Sequence, residues 1–144
     1  VRPSLEYERA GWVFQPLAAE PMRQAAALLI GEHDFSAFRS AECQAASPVR
    51  TLRSIRIVQH GAYWRFDFDG NAFLHHMIRN IMGCLVVIGQ GREAPTWVQS
   101  VLASRSRQMA APTFAPDGLY FAGPYYDAHF GIPLQTPAFD WLPR

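Results

Sequence analysis

Residues 62–69 read Ala62-Tyr-Trp-Arg-Phe-Asp-Phe-Asp69, so aromatic side chains alternate there with Arg and Asp. This period of two predicts a β-strand with one aromatic and one polar face. The preceding segment, Thr51–Gln59, is rich in β-branched residues and predicts a second strand, and His60-Gly61 supplies the turn between them. The two strands therefore form a hairpin, and another element must cover its aromatic face.

A helix over Phe73–Ile88 is the predicted cover, because its apolar residues recur at helical spacing. Two more helices are predicted, one from near Ala19 to Leu29 and one over Pro95–Ser104, each with a proline tolerated in its first turn. A last alternating strand is predicted over Gly118–Tyr126. The order α-β-β-α-α-β favours an α+β fold, an antiparallel sheet with helices packed on one face.

The chain divides into three predicted parts. Residues 1–17 carry charges of both signs and two prolines, which is typical of a connector. Residues 18–127 form the α+β domain, within which Glu32–Phe38 is predicted to be a packed turn. Residues 128–144 combine Pro, Gly and aromatics without periodicity and predict an irregular tail on the surface.

Composition places the chain among globular proteins, with 49% hydrophobic and 17% charged residues. The net charge is +1, and all 13 basic residues are arginine. Arginine usage reflects either genome composition or a surface for phosphates and stacked bases, and composition alone does not decide. No secretory signal or bilayer-length apolar run is visible, and Cys43 and Cys84 match no metal spacing. We expect a cytoplasmic protein with no membrane association.

Two groups of residues invite a catalytic interpretation that the sequence does not favour. His75 and His76 are adjacent, and neighbours on a helix point about 100° apart, which makes a poor metal chelate. Asp67 and Asp69 share the polar face of a strand, where a carboxylate pair and a solvated surface are both open. We therefore predict no metal.

Arg79 stands out because it lies in a helix otherwise committed to the core. At helical spacing, His76, Arg79 and Gly83 fall on one stripe, and a glycine there lets another backbone or a substrate approach closely. Arginine is seldom buried unpaired. If the stripe faces a cleft, Arg79 is expected to bind a carboxylate or a phosphate, and the alternative is an ordinary surface arginine.

Several motifs, in order from about Arg2 to Asp127, together resemble the C-terminal portion of the tRNA pseudouridine synthase A family. They are Gly31-Glu-His-Asp-Phe-Ser-Ala-Phe38, Glu42-Cys-Gln44 followed by Pro48, Phe73-Leu-His-His-Met-Ile-Arg-Asn-Ile-Met-Gly83, Ala110-Ala-Pro-Thr113 and Asp117-Gly-Leu-Tyr120.

The resemblance implies the C-terminal half of the pseudouridine synthase fold and an isomerase that converts uridine to pseudouridine in the anticodon stem-loop of tRNA, with neither metal nor organic cofactor. An aspartate attacks the nucleotide, and the uracil detaches, turns and rejoins through carbon. Arg79 occupies the position of the family's arginine that pairs with this aspartate. Leu119 is expected to pack beside the flipped base, which must leave the stack to react.

The catalytic aspartate itself is expected to be missing. In the family it follows Arg-Thr and precedes Gly-Val in the N-terminal half, and none of the six aspartates of this chain has those neighbours. We therefore predict that the chain, as an isolated polypeptide, is inactive, and that its partner is the N-terminal half of the same enzyme.

Further substrate contacts are predicted at His76, Arg39, Arg50 and Arg53, because arginines near the hairpin are placed to meet tRNA phosphates. A solvated sheet face is the alternative for the arginines. The family implies a homodimer with tRNA across both subunits. A second hypothesis is a free-standing RNA-binding module that has lost catalysis. A start at Val1, without methionine, favours an excised piece over such a module.

Overall fold

The computed structural model describes residues 16–40, 45–61, 63–116, 119–122 and 127–133 of the 144-residue chain. Within these ranges no helix is long and apolar enough to cross a membrane. The regular elements there, in chain order, are α1 (Ala19–Leu29), β1 (Gly31–Asp34), a 3-10 helix (Ser36–Phe38), β2 (Val49–His60), β3 (Tyr63–Gly70), α2 (Met77–Gly89), α3 (Trp97–Ser104), a second 3-10 helix (Arg107–Met109), β4 (Leu119–Ala122) and β5 (Asp127–Pro133).

The strands form one five-stranded sheet in the order β1-β2-β3-β5-β4, and each neighbouring pair is antiparallel. The predicted hairpin is confirmed, since β2 and β3 pair from His60↔Tyr63 to Leu52↔Gly70 across a turn at Gly61. The α+β class predicted from the sequence, with an antiparallel sheet and helices on one face, is also confirmed.

The aromatic face of β3 lies in the core, as its alternation predicted. Trp64, Phe66 and Phe68 are buried and belong to one cluster with α1, α2 and α3. Full burial of a phenylalanine side chain contributes about 1.5–3 kcal/mol, so this face is a main source of stability. Helix α2 supplies Met77, Ile81, Leu85 and other buried apolar residues to the same cluster, in keeping with its predicted role as the cover.

The prediction of an irregular tail from residue 128 was wrong for residues 128–133. They belong to β5, which lies between β3 and β4 and pairs with both. The alternation of Ala128 and Phe130, both buried, is the strand signal, but Gly131 and Pro133 conceal it in the sequence. Pro133 is the last residue of β5, where its missing N–H removes at most one ladder bond.

Further boundaries differ from the predictions. Glu32–Phe38, expected as a packed turn, contains most of strand β1 and a 3-10 helix. The helix expected from Phe73 begins at Met77, because His76 has a left-handed backbone conformation that a right-handed helix cannot include. The His75 carbonyl accepts a hydrogen bond from the backbone N–H of Ser40 at 3.0 Å.

The segment 111–114 runs directly against α2, and it does so at Gly83. A Cβ at Gly83 would lie 2.3 Å from the carbonyl oxygen of Pro112. The expectation that Gly83 admits another backbone is therefore confirmed. Since the obstacle is backbone and not the end of a flexible side chain, any larger residue must push the segment away from the helix.

Replacing Gly83 with alanine should lower the free energy of unfolding by about 1–3 kcal/mol, because overpacking outweighs the better helix propensity of alanine. Urea denaturation followed by circular dichroism would measure this. Gly61→Asn is the control, because a Cβ at Gly61 meets nothing within 4 Å and asparagine tolerates its φ of 51°. Equal stability of Gly83→Ala and the unmodified chain would show that the segment does not contact α2.

The turn after β1 is closed by a carboxylate. Asp34 Oδ1 accepts hydrogen bonds from the hydroxyl and the backbone N–H of Ser36, and the Arg105 guanidinium lies 3.6 Å from Oδ2. The Ser36 hydroxyl, more than any other group, holds the pKa of Asp34 below its usual range. A depressed pKa in the folded state stabilises the fold above the unfolded pKa, and this stabilisation is lost as the pH falls through the folded value.

Ser36→Ala should therefore destabilise the chain at pH 7, and the deficit should shrink as the pH falls below about 4, where the unfolded carboxyl takes up its proton. The midpoints of urea denaturation, measured for both proteins between pH 7 and pH 3, would give this stability deficit at each pH. The control is Ser100→Ala in α3, at an exposed position, whose effect should not vary with pH. A deficit for Ser36→Ala that is constant with pH would contradict this account of the turn.

Candidate functional site

Arg79 lies in the first turn of α2 and is tied to the segment 111–114 through both its side chain and its backbone. Its Nε donates a hydrogen bond to the Phe114 carbonyl at 2.8 Å, and the Phe114 N–H donates to the Arg79 carbonyl at 3.2 Å. The side chain is half-buried. One edge of the guanidinium is thus fixed by neutral backbone, and this leaves its terminal nitrogens available to another group.

Within the described ranges, no carboxylate lies within 4.0 Å of the Arg79 guanidinium. Other arginines of the chain do have such partners: Arg53 Nη2 lies 2.6 Å from Asp69, and Arg65 Nε lies 2.8 Å from Asp67. Arg39 and Arg50 are also half-buried and bound, in the described ranges, only to carbonyls, but Arg79 differs in lying on a helix whose other residues are mostly buried. The arrangement suits binding of an anion that comes from outside the described residues.

The predicted stripe of His76, Arg79 and Gly83 needs correction at its first member. His76 caps α2 from a left-handed backbone conformation with φ of 62°, so it does not share the helical spacing. This conformation costs roughly 1–2 kcal/mol in a residue other than glycine. Arg79 and Gly83 do share a face, since both contact the segment 111–114.

The two histidines stack on each other at the start of α2. Their ring centroids are 4.0 Å apart with an interplanar angle of 31°. In the described part of the chain, no group of three or more His, Cys, Asp or Glu side chains has a metal-binding arrangement. His75 is exposed and His76 is half-buried, so the two rings form an accessible aromatic surface. The pair precedes Arg79 closely in the sequence.

Leu119, the residue expected beside the flipped base, opens β4 and is half-buried. It pairs across the sheet with Phe130, and the Phe130 ring packs edge-on against Phe114 with centroids 5.2 Å apart. Phe114 is also the anchor of Arg79. The structure therefore links the predicted residues Arg79 and Leu119 through one aromatic pair.

The three arginines predicted to contact tRNA all donate hydrogen bonds to backbone carbonyls, and Arg53 also binds a carboxylate. Arg39 donates to the Ala45 carbonyl at 3.4 Å, and Arg50 donates to the carbonyls of Ser47 and Val49 at 2.9 and 2.7 Å. Arg53 donates to Asp69 and to the Gly70 carbonyl. These bonds are separate from the ones that hold Arg79.

Asp67 and Asp69 do not form a carboxylate pair. Asp67 binds Arg65 and also His129, whose Nδ1 lies 2.7 Å from Oδ1, while Asp69 binds Arg53. Each carboxylate is therefore engaged by a basic or imidazole group on the polar face of the sheet. This favours the alternative of a solvated strand face over a carboxylate pair and gives no support to acid-base chemistry by the two aspartates.

Sequence reasoning missed the residues that hold the segment 111–114. Asn80 is fully buried and binds Arg107 and Thr113, and the Ala111 N–H donates to the Cys84 sulfur at 3.4 Å. Burial raises the pKa of Cys84, so its thiol stays protonated at neutral pH. The available signal was Asn80 itself, an amide between apolar residues of a core helix, since buried polar groups need partners.

Comparison with known proteins adds an independent result. A family profile described as tRNA pseudouridine synthase matches residues 25–127. The chain is similar to proteins named tRNA pseudouridine synthase A, with 68% identity over 143 residues to the one from Methylibium petroleiphilum and 60% over 147 residues to the one from Polaromonas naphthalenivorans. Each comparison covers 99% of this chain but 55% and 56% of the relatives, so the chain spans about half their length.

Proposed function

Because the chain belongs to the tRNA pseudouridine synthase family, we propose that it forms one wall of the active site of an isomerase that converts uridine to pseudouridine in the anticodon stem-loop of tRNA. The other wall, which carries the catalytic aspartate, comes from the N-terminal half of the same protein. The chain spans only about 55% of the relative from Methylibium petroleiphilum, which supports a second contributing part. The reaction needs no metal or organic cofactor.

One observation carries this proposal: Arg79 is half-buried, is held at Nε by the Phe114 carbonyl, and has no acidic partner in the described ranges. A carboxylate from the N-terminal half would supply the acidic partner that Arg79 lacks in the described ranges. A nearby guanidinium favours the ionised carboxylate and lowers its pKa. The nucleophile therefore stays charged when the closed cleft excludes water.

This chain positions the reacting groups, and the aspartate of the N-terminal half carries out the covalent chemistry. The aspartate attacks the nucleotide, the uracil detaches and turns, and a carbon-carbon bond to the sugar replaces the original carbon-nitrogen bond. Arg79 orients the carboxylate. Leu119 packs beside the base after it has left the stack, and its half-buried place next to Phe130 supports this role.

Contacts with the rest of the tRNA are proposed for His76, Arg39, Arg50 and Arg53. Guanidinium groups bind phosphates without reading sequence, and this suits a role in placing the stem-loop. The stacked pair of His75 and His76 offers an aromatic surface a few residues before Arg79 in the sequence. A homodimer with tRNA across both subunits, in the cytoplasm, completes the proposal.

The test is a pseudouridine assay on unmodified tRNA, in which the chain alone is compared with the chain preceded by the N-terminal half of the Methylibium petroleiphilum relative. Only the extended protein should form pseudouridine. Arg79→Ala in the extended protein should lower the rate by at least about 100-fold, as loss of a preorganised charge does. Arg79→Lys should recover little, because lysine lacks the Nε–H that binds Phe114.

The matched control is Arg92→Ala, an exposed arginine beyond the far end of α2, which should keep full activity. Pseudouridine formation by the chain alone would refute the proposed absence of the nucleophile. Full activity of Arg79→Ala would refute the ion-pair role. Tight tRNA binding by an inactive extended protein would instead favour an RNA-binding module.

A further inference from the structure

Asn80 is the buried polar side chain of the described core, with no exposed surface, and it directly follows Arg79. Its Nδ2 donates to the Phe38 carbonyl at 2.7 Å. Its Oδ1 accepts from Thr113 Oγ1 at 2.6 Å and from Arg107 Nη2 at 3.0 Å. One amide therefore joins α2 to the 3-10 helix at Ser36–Phe38 and to the loop that follows α3.

The three polar groups close a small triangle. Arg107 Nη2, besides binding Asn80, donates to Thr113 Oγ1 at 2.9 Å. Thr113 is consequently fixed by a donor and an acceptor at once, although its own side chain lies at an exposed position. A hydroxyl held in this way defines where the backbone of residue 113 runs.

The next residue after Thr113 is the anchor of the guanidinium. Phe114 receives the Arg79 Nε–H at its carbonyl and donates its own N–H to the Arg79 carbonyl. Successive helical residues point about 100° apart, so Asn80 contacts the segment from the buried side and Arg79 from the open side. Two neighbours on α2 thus hold two neighbours on the segment 111–114.

We propose that Asn80, Thr113 and Arg107 are positioning residues for the reaction, which hold the Phe114 carbonyl where it aims the Arg79 guanidinium at the catalytic carboxylate. This inference rests on the proposed function and adds residues to its site. A guanidinium on a flexible side chain samples many directions, and a single fixed acceptor for Nε selects among them. Misplacement of a catalytic group by about 1 Å costs up to about 100-fold in rate.

Asn80→Ala is not the best test, because it leaves the Phe38 carbonyl and Arg107 without a buried partner and endangers folding. Thr113→Val is sharper, because it keeps the shape of an exposed side chain and removes only the hydroxyl. Thr113→Ser is the matched control, because it keeps the hydroxyl. Both variants belong in the extended protein, together with the unmodified sequence.

The first measurement is the single-turnover rate of pseudouridine formation at saturating tRNA, alongside the Kd for tRNA and the melting temperature. Thr113→Val should lower the rate about tenfold, which is within the loss expected when a catalytic group is misplaced by less than about 1 Å. Its Kd for tRNA should stay near that of the unmodified protein, and its melting temperature should fall only slightly, because one hydrogen bond at an exposed position is lost. Thr113→Ser should retain the rate. An unchanged rate in Thr113→Val would overturn the positioning role. So would a slower rate accompanied by clearly weaker tRNA binding and a clearly lower melting temperature, because that result indicates general structural damage.

The second measurement does not depend on activity. The Nε–H signal of Arg79 in a nitrogen-15 NMR spectrum, assigned by its loss in Arg79→Lys, should exchange slowly with water in the unmodified protein because it is hydrogen-bonded. Thr113→Val should speed this exchange at least about tenfold, and Thr113→Ser should not. If the extended protein forms no pseudouridine, the proposed function fails. An exchange rate unaffected by Thr113→Val overturns the positioning role in either case.

Discussion

The contact between α2 and the segment 111–114 is the constraint on which the rest of the site depends. It requires a hydrogen atom in place of a side chain at Gly83, because the Pro112 carbonyl occupies the space of a Cβ. Only at this distance do Arg79 and Asn80 reach Phe114 and Thr113. The approach of Pro112 to Gly83 therefore sets the packing of α2, the hydrogen bonds of Asn80 and the direction of the Arg79 side chain.

Among the described residues, Arg79 is one of several arginines without a carboxylate partner, and the Phe114 carbonyl is its acceptor. The ion pairs found there lie on the polar face of the sheet or at the turn after β1. Arg79 avoids the full cost of burial because it is only half-buried and keeps one carbonyl partner. A carboxylate that approaches the Arg79 guanidinium would lose bound water but gain a charge-assisted hydrogen bond. The attraction between the two charges would be stronger in a cleft without water than in one open to solvent, because the dielectric constant is lower there.

Local signals in the sequence were sufficient for the helices and the hairpin. The alternation at residues 62–69 and the apolar spacing in α2 each require only that one face be buried. The start of α2 was misjudged because His76 has a left-handed backbone conformation that the apolar spacing does not reveal. Arg79 stood out as a lone cation in an apolar helix, and Thr113 ended a recognised motif, but nothing local indicated that Thr113 and Phe114 contact α2. Their loop has no periodicity, and its path is set by tertiary contact alone.

Strand β4 comes before β5 along the chain, yet the described sheet places β5 between β4 and the rest. The pairing partners of β4 from Leu119 to Ala122 are all in β5. As the polypeptide leaves the ribosome, β1, β2 and β3 have their neighbours early, whereas β4 must wait for the following strand. A nascent chain that has already made Leu119 therefore has no sheet on which to hold it. Completion of this wall of the site is tied to synthesis of β5, so partly made chains lack it.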